Sequence, residues 1–350
     1  MSESKKGFKA AVIGLGFIGA GDQVSGDAIG QNVNNLDGNH SQALAVHPQI
    51  RLVAGSSRDP GRRERFEKRY TVDKSYFDWR EMLVKEKPDI VSIATNSPSH
   101  GEIAIACAEA GVRAILCEKP MTTRLSDADA VLRSCKAHGS ILAVNHNRRW
   151  HPLWRSMQAE IRSGALGEVS HAAVHWSSGR LGNVGTHFFD ALHMLLDDRA
   201  TEVSGVLDPE LGRDCRGSEF SDPGGWGVVS YAKGAKAFIH APQNAKLPLG
   251  VRIAGSLGQM TLRGDEALVE LWTGETRVIV GTQDGYNSLE RGVQDVVECL
   301  VHSKMPMSSA EDGIAALEVI IGFHVSNRLQ GQRVKLPIRG EDRHLEVLIG

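Results

Sequence analysis

The sequence predicts an α/β protein in which an N-terminal, doubly wound parallel sheet is followed by a C-terminal α+β domain with a largely antiparallel open sheet. The chain has 350 residues, about twice the length of a typical domain, which favours two domains. Up to residue 145, short apolar runs alternate with helical patterns, as in parallel sheets that helices cover on both faces. Beyond it, strand patterns separated by Gly and Asp favour an antiparallel sheet. The predicted domains are residues 1–145 and 146–350.

The predicted elements of the first domain alternate between strand and helix. Short apolar runs predict strands at Lys9–Ile13, Ile50–Gly55, Asp89–Ala94, Val112–Cys117 and Ser140–Val144. Helical patterns lie at Pro60–Tyr70, Ser99–Ala110 and Ser126–His138. In the second domain, helices are predicted at Pro152–Ser163, Gly185–Leu196, Ser288–His302 and Ala310–Leu329, with a strand at Glu168–Ser177 and several short strands from Glu202 to Val280.

Composition and charge limit the kinds of molecule that the protein is expected to bind. Apolar residues form 41% of the chain and the net charge is −2, without a long Lys/Arg block, so neither nucleic acid nor a membrane surface is an expected partner. No apolar run reaches the roughly 18 residues of a membrane span. The opening MSESKKGFKA lacks the apolar segment of a secretory signal. The cysteines are odd in number and scattered, which favours reduced thiols in a cytoplasmic protein.

A glycine-rich turn follows the first predicted strand. Gly14, Gly16 and Gly19 form a G-x-G-x-x-G pattern around Phe17 and Ile18. In a Rossmann fold, this pattern lets the backbone approach a pyrophosphate at the start of a helix. A plain glycine-rich turn is the alternative, but the position directly after a strand favours a dinucleotide site formed by these residues.

The end of the second strand bears on the choice of dinucleotide. An acidic residue usually holds the ribose 2′-hydroxyl of NAD at this place. Here the strand ends in Ser56, Ser57 and Arg58, and a hydroxyl followed by a guanidinium suits a 2′-phosphate. Arg62 and Arg63 add positive charge. The alternative is that they only begin a basic helix that faces solvent. The expected cofactor is NADP or NAD, with NADP favoured, bound at Ser57 and Arg58.

A further motif and its surroundings carry a family resemblance. Residues 114–122 read AILCEKPMT, a strand that ends in Glu-Lys-Pro. With the glycine turn, TNSPSH at residues 95–100 and GTHFFD at residues 185–190, this motif resembles the glucose–fructose oxidoreductase/inositol dehydrogenase/MocA family (Gfo/Idh/MocA). The resemblance covers most of the chain and is strongest over residues 8–150 and 180–196.

The resemblance implies a Rossmann domain and a second domain whose open sheet often serves as an oligomer interface, hence a homodimer or homotetramer. It implies reversible hydride transfer between a nicotinamide and a secondary alcohol of a sugar or cyclitol. Lys119 would reach the substrate hydroxyl and the nicotinamide ribose, and Pro120 would shape the loop through a cis peptide. Cofactor contacts would come from Thr95, Asn96, Pro98, His100, Glu118 and Lys119.

The predicted chemistry needs a proton acceptor beside the substrate hydroxyl. A base works best when its pKa lies near the operating pH, which favours histidine or a lysine depressed by its neighbours. His187 is therefore predicted to act as the acid/base, with Lys119 as electrostatic and proton partner. A capped or core histidine at a helix start is the alternative reading of His187.

Three further residues are predicted to bind substrate: Arg148, Asn183 and Asp190. Asp190 lies one helical turn after His187 and would either hold the imidazole or pair structurally. Many family members have an aspartate where this chain has Asn183, and an amide cannot carry the charge that stabilises an imidazolium. The usual Asp–His proton arrangement is therefore in doubt, and an altered reaction stays open. Arg148, with His146, would contact substrate at the domain junction or belong to an interdomain hydrogen-bond network.

No metal site is expected. His171 and His175 lie on one side of a predicted strand, but no carboxylate or cysteine has a spacing that would complete a ligand set.

A polar stretch of about residues 20–39 interrupts the dinucleotide motif and delays the second strand. It carries Asp22, Asp27 and Asp37 and is too polar to form a core. A lid over the cofactor or sugar cleft and a surface or oligomer-contact loop are equally favoured readings.

Three functions remain open at this point. The first is an NAD(P)-dependent sugar or cyclitol oxidoreductase. The second is a glycoside-cleaving enzyme that uses transient oxidation and elimination with a retained nicotinamide. The third is a non-catalytic dinucleotide-binding sensor.

Overall fold

The computed structural model of the chain describes residues 7–23, 38–72, 74–177, 179–209, 217, 219–243 and 247–349. The chain divides into two compact units. The first comprises Met1–Thr122, Asp127–Asn145 and Tyr286–Glu311, and the second comprises Thr123–Ser126, His146–Gly285 and Asp312–Gly350. Tyr286–Glu311 thus joins the first unit, whereas the sequence interpretation counted it with the second domain.

The described part of the first unit contains a six-stranded, fully parallel sheet in the order β3-β2-β1-β4-β5-β6. Its strands are β1 Phe8–Ile13, β2 Ile50–Ser56, β3 Ser75–Tyr76, β4 Ile90–Ile93, β5 Ala114–Cys117 and β6 Ile141–Val144. The strand order reverses between β1 and β4, which is where doubly wound sheets bind dinucleotides. The predicted parallel, doubly wound sheet is confirmed.

The helices associated with this sheet are α1 Phe17–Ala20, α2 His40–Val46, α3 Pro60–Tyr70, α4 Trp79–Glu86, α5 His100–Glu109, α6 Leu125–His138 and α9 Ser288–His302. Side-chain caps define several of their starts. Asp59 accepts the backbone N–H of Arg62 at the start of α3, and Asn287 and Glu290 form a capping box at the start of α9. Such caps satisfy N–H groups that have no partner within the helix.

The polar stretch lies between the end of α1 and the start of α2. The chain leaves α1 at Gly21, which has a φ of 66°, and re-enters α2 after Asn39. The Arg69 guanidinium donates to the carbonyls of Ala20 and Gly21 at 2.8 and 2.7 Å. The Tyr70 hydroxyl lies 3.1 Å from the Ala20 carbonyl and 3.0 Å from Asn39 Oδ1. Helix α3 therefore ties together both ends of the interruption.

Residues 24–37, with Asp27 and Asp37, lie outside the described part of the chain. The lid and surface-loop readings of this segment both stay predictions.

The second unit is built on a mixed but largely antiparallel sheet, as predicted. Its described residues form nine strands in the order β14-β13-β12-β11-β7-β10-β9-β8-β15, and β7 and β10 are the parallel neighbours. The strands are β7 Val169–His175, β8 Ala200–Leu207, β9 Gly225–Tyr231, β10 Lys236–Ala241, β11 Gly250–Gly255, β12 Gly258–Arg263, β13 Glu266–Leu271, β14 Thr276–Val280 and β15 Val334–Lys335. The helices are α7 Pro152–Arg162, α8 Gly185–Leu196 and α10 Ala310–Arg328.

Aromatic packing fixes α8 within this unit. The Trp176 and Phe188 rings stack at 4.9 Å between centroids, and those of Phe189 and Phe323 stack at 5.7 Å. Burying each such side chain contributes roughly 1.5–3 kcal/mol. His187, on the same helix, keeps partial exposure among buried neighbours. Helix α8 is therefore held firmly within the unit, with His187 at its partly exposed side.

No helix in the described ranges combines the length and apolar character needed to cross a membrane.

Candidate active site

The glycine turn has the close packing that a dinucleotide cradle requires. Gly14 has a φ of 95°, and a Cβ there would lie 2.4 Å from the carbonyl oxygen of Ala94. A Cβ on Gly19 would lie 1.8 Å from the carbonyl oxygen of Gly14. Helix α1 begins at Phe17 after Gly16, which has no side chain to cap it. The turn therefore admits only glycine at these points, and a helix start without a side-chain cap fits a pyrophosphate.

The predicted cofactor residues come together at one edge of the parallel sheet. They follow the carboxyl ends of β1, β2, β4 and β5, the edge at which such sheets bind nucleotides. The set comprises Gly14, Gly16, Phe17, Ile18, Gly19, Ser57, Arg58, Thr95, Asn96, Pro98, His100, Glu118 and Lys119. Their individual roles remain predictions.

The end of β2 presents a basic rather than an acidic side chain. Arg58 is exposed. The nearby carboxylate of Asp59 accepts the backbone N–H of Arg62 at 3.0 Å as the cap of α3. The Arg63 guanidinium donates to the carbonyl of Ser57 at 2.6 Å. Arg58 is thus the guanidinium best placed to extend from this strand end.

Arg62, which the sequence offered as added charge for a phosphate, faces a carboxylate. Asp22 is 6% exposed and accepts two hydrogen bonds from Arg65, at 2.9 and 3.0 Å. The Arg62 Nε atom lies 3.4 Å from the same carboxylate. Asp22 therefore anchors the start of the interrupting segment to α3.

The loop that follows β4 is joined to the Glu-Lys-Pro turn by a histidine. His100 is buried, and its Nε2 and Nδ1 atoms lie 2.9 Å from the carbonyl oxygens of Thr95 and Pro120, respectively. The Ser99 hydroxyl donates to Thr95 Oγ1 at 2.7 Å. His100 thus connects two loops that the sequence analysis assigned to the nicotinamide end of the cofactor.

Glu118 is a buried carboxylate with several donors. His40 Nε2 lies 2.8 Å from Glu118 Oε1, Asn145 Nδ2 donates to the same oxygen at 2.5 Å, and the Lys119 N–H donates to Oε2 at 3.2 Å. Burial opposes ionisation, but His40, Lys119 and Asn145 more than offset it and lower the pKa of Glu118 to about 2. The Lys119–Pro120 peptide is cis, as expected. Glu118 is therefore an ionised anchor of this turn.

His40 and Ser92 were missed at the sequence level. His40 Nδ1 contacts the hydroxyl of Ser92, and both side chains are completely buried. Two signals were present: Ser92 interrupts the apolar run of β4, and His40 is the first residue of α2. Neither signal names a partner, because the contacts join residues far apart in sequence.

In the second unit, His187 lies beside a second histidine. The rings of His146 and His187 meet edge to face with centroids 6.2 Å apart. His146 Nε2 is 3.0 Å from the Thr186 hydroxyl, and its Nδ1 is 3.5 Å from Asp190 Oδ1. His187 is thus adjacent to a polar network inside its own unit.

The Asp190 carboxylate forms an ion pair with Arg149. Its carboxylate is fully buried and lies 2.8 and 2.9 Å from Arg149 Nε. Arg149 also pairs with Asp312 at 3.0 Å, and Asp312 pairs with Arg199 at 2.7 Å. Of the two roles considered for Asp190, this geometry favours structural pairing.

Arg148 lies over aromatic rings. Its guanidinium carbon is 4.4 Å from the Phe188 ring centroid and 5.3 Å from that of Trp154, distances typical of cation–π contacts. These rings hold the guanidinium near α8, and its substrate role stays a prediction.

The loop that contains Asn183 is held through its main chain by the carboxylate of Asp222. Asp222, 9% exposed, accepts the backbone N–H groups of Gly182 and Asn183, each at 2.7 Å. Position 183 lacks the family carboxylate on its side chain, but a carboxylate supports its main chain.

Four cysteines fall within the described ranges, and all are free and buried: Cys107, Cys117, Cys135 and Cys299. Burial raises the pKa of the Cys117 thiol well above its ordinary value, which disfavours a nucleophilic role. Cys215 lies outside the described residues. The described side chains include no group of three or more His, Cys, Asp or Glu residues placed to hold a metal ion.

The parallel sheet and its glycine cradle define a dinucleotide-binding Rossmann fold. A family model described as an oxidoreductase family with an NAD-binding Rossmann fold matches residues 8–146. The chain is 25% identical over 361 residues to D-apiose dehydrogenase of Paraburkholderia graminis, with 95% of this chain and 90% of the relative covered. Over residues 8–146, the chain therefore matches the glucose–fructose oxidoreductase/inositol dehydrogenase/MocA family. It is an NAD(P)-dependent dehydrogenase of CH–OH groups.

Levoglucosan dehydrogenase provides a second comparison. The protein from Pseudarthrobacter phenanthrenivorans is 27% identical over 217 residues, which cover 51% of this chain and 55% of the relative. A solved structure of levoglucosan dehydrogenase with NADH and levoglucosan matches with a TM-score of 0.81 at 21% identity, covering 95% of this chain and 100% of that one. At this identity the match establishes the shared fold.

Proposed function

We propose that the protein transfers a hydride between a nicotinamide and a secondary alcohol carbon of a sugar, sugar derivative or cyclitol. The observation that carries the proposal is the Glu118-Lys119-Pro120 turn at the same sheet edge as the glycine cradle. This turn holds an ionised carboxylate next to a half-buried lysine. Relatives named for D-apiose, inositol and levoglucosan support a polyhydroxylated substrate.

The nicotinamide supplies the hydride acceptor or donor when it is bound. The chain's own residues orient the reactants and move the proton. In the proposal, Gly14 and Gly19 hold the pyrophosphate, Lys119 binds the substrate oxygen, and His187 takes the hydroxyl proton during oxidation. Positioned acid–base groups of this kind typically contribute 10²–10⁴-fold to the rate.

The proposed cofactor preference is NADP over NAD. Arg58 is exposed at the end of β2 and Ser57 precedes it, while the Asp59 carboxylate accepts a backbone N–H of α3. A guanidinium can pair with a 2′-phosphate. A carboxylate that would select the 2′-hydroxyl is thus already engaged at this strand end.

A glycoside-cleaving reaction that oxidises the sugar transiently is the second candidate. The observation that favours it is Asn183, whose side chain lacks the carboxylate expected of a conventional proton relay. In that reaction the hydride returns to the sugar, so turnover leaves the cofactor unchanged.

We further propose that the protein is a homodimer or homotetramer joined through its open sheet. On one face of this sheet, Trp226 is 56% exposed, Phe238 is 49% exposed and Val278 is 52% exposed. Trp226 and Phe238 lie on the neighbouring strands β9 and β10. Adjacent exposed apolar side chains such as Trp226 and Phe238 favour protein contact over solvent, and Val278 lies apart from them on the edge strand β14.

The direct test is nicotinamide absorbance with NAD⁺ and NADP⁺ against free sugars, cyclitols and aryl glycosides. The proposal expects net cofactor reduction with a free sugar or cyclitol, lost in His187→Ala and in Lys119→Ala. Aglycone release without net reduction would favour the second candidate. Cofactor binding without turnover of any of these compounds would favour the sensor reading.

A further inference from the structure

We propose that His40 is a positioning residue for the reaction, which fixes the Glu118 carboxylate and through it the setting of Lys119. The inference deepens the proposed function and rests on it, because Lys119 matters here as the proposed partner of the substrate oxygen. His40 belongs to α2, the helix that begins after the polar stretch, and it lies outside every motif that the sequence analysis singled out.

The geometry of His40 is fixed at both ring nitrogens. Its Nε2 lies 2.8 Å from Glu118 Oε1, and its Nδ1 contacts the hydroxyl of Ser92 on β4. The Ser92 hydroxyl is also 3.4 Å from the Leu116 carbonyl on β5. Because His40 is completely buried, bulk water does not compete for either contact in the native protein. The imidazole therefore joins α2, β4 and the turn after β5.

The Glu118 carboxylate depends on this contact. Its charged and titratable neighbours are His40 from α2, Lys119 beside it in the chain and the preceding Cys117 thiol. Asn145 adds a neutral donor from the end of β6. Burial alone would raise the pKa of Glu118, and the hydrogen bond from His40 is the largest of the opposing effects that lower it to about 2.

Loss of the His40 N–H would change the charge beside Lys119. A buried carboxylate that loses a strong donor takes up a proton at higher pH, or it turns toward the lysine ammonium. In the native protein, the Glu118 carboxylate keeps its negative charge above about pH 2. If its pKa rises, the carboxylate loses this charge at a higher pH as the solution is acidified. A residue that only packed the helix would not move this titration.

The experiment compares His40→Ala and His40→Gln with a matched control, His47→Ala. His47 is the C-cap of the same helix, is 8% exposed, and lies 2.9 Å from Gln294 Oε1. Glutamine at position 40 retains an N–H donor but cannot ionise. Two measurements are made on the full-length protein: carbon-13 NMR titration of the Glu118 carboxyl, assigned with Glu118→Gln, and the pH dependence of kcat and KM.

The proposal expects Glu118 to stay ionised from pH 5 to 8 in the native protein and in His47→Ala, and to titrate in this range in His40→Ala. It expects kcat to fall roughly ten- to hundredfold in His40→Ala, the size of loss that follows when a group beside the reacting atoms is misplaced by about 1 Å. KM for the cofactor should change less than kcat does, and a new acid limb should appear in the kcat profile. His40→Gln should recover most of both properties.

The proposal is overturned if the Glu118 titration and the kcat profile of His40→Ala match those of the native protein. It is also overturned if His47→Ala and His40→Ala lose activity equally without a change in pH dependence. Ser92→Ala, which removes only the second contact of His40, gives an intermediate test if His40→Ala does not fold. A native protein without turnover would refute the proposed function, while the NMR titration would still decide the role of His40.

Discussion

Glu118 illustrates how a single buried side chain links stability to pH. Its folded pKa of about 2 lies below the value of an unfolded Glu, about 4.3. The ionised form therefore contributes stability above the unfolded pKa, and this contribution is lost as pH falls toward 2. We expect Glu118→Gln to lower the free energy of unfolding at pH 7 by on the order of 3 kcal/mol.

Urea unfolding across pH checks this expectation, with the exposed Glu109→Gln as control. The deficit of Glu118→Gln should shrink as pH falls from about 5 toward 2. A deficit that is independent of pH would mean that the carboxylate is not held in its ionised form.

At the scale of a single residue, the proposed preference for NADP over NAD depends on Arg58. Because its guanidinium is exposed, we expect Arg58→Ala to raise KM for NADP⁺ roughly three- to tenfold, a modest charge-assisted effect, and to leave KM for NAD⁺ nearly unchanged. Steady-state kinetics with both cofactors measures this. Arg51→Ala, at an exposed site on the same strand, is the control. Equal effects on both cofactors would remove Arg58 from the preference.

Residues of the site could be predicted from the sequence only where they belong to a short, contiguous motif. The glycine turn and the Glu-Lys-Pro turn are contiguous, so their place in the fold could be read from the sequence. His40, Ser92 and Asp222 act through contacts with residues far along the chain. No local pattern specifies such contacts, and sequence reasoning therefore missed them.

At the scale of elements, α3 acts as a clamp on the end of α1 and the start of α2. Arg69 and Tyr70 donate to main-chain carbonyls at the C-terminal end of α1, where the last carbonyls of a helix have no partner within it. We expect Tyr70→Phe to lower the free energy of unfolding by about 1 kcal/mol and Arg69→Ala by roughly 1–3 kcal/mol, the usual range for neutral and charged hydrogen bonds. Urea unfolding tests this against Lys68→Ala, an exposed control on the same helix. Equal stability of Arg69→Ala and Lys68→Ala would contradict the clamp.

Elements with strong periodicity or clear caps were predicted well. The bounds of α3, α8 and α9 agree with those read from the sequence. Four short elements of the described ranges, β3, β15, α2 and α4, were not predicted, because two-residue strands and mixed segments of seven or eight residues give little periodic signal. The strand order of the second sheet also could not be read, since alternation identifies a strand but not its neighbours.

At the scale of the whole molecule, the open sheet makes a prediction about assembly. We expect light scattering to find a dimer or tetramer, and Trp226→Glu with Phe238→Glu to shift it toward monomer. Both side chains are about half exposed, so these changes should leave the unfolding midpoint of the monomer nearly unchanged. A monomeric native protein would contradict the proposed interface.

Net hydride transfer to the nicotinamide is the reaction that the proposed function requires. The most direct measurement uses a reactive sugar or cyclitol with deuterium on its carbinol carbon and follows the label by mass spectrometry. We expect deuterium to appear in the reduced nicotinamide, in equal amount to the ketone or lactone formed. Deuterium that returns to the sugar while the cofactor stays oxidised would contradict the proposed function.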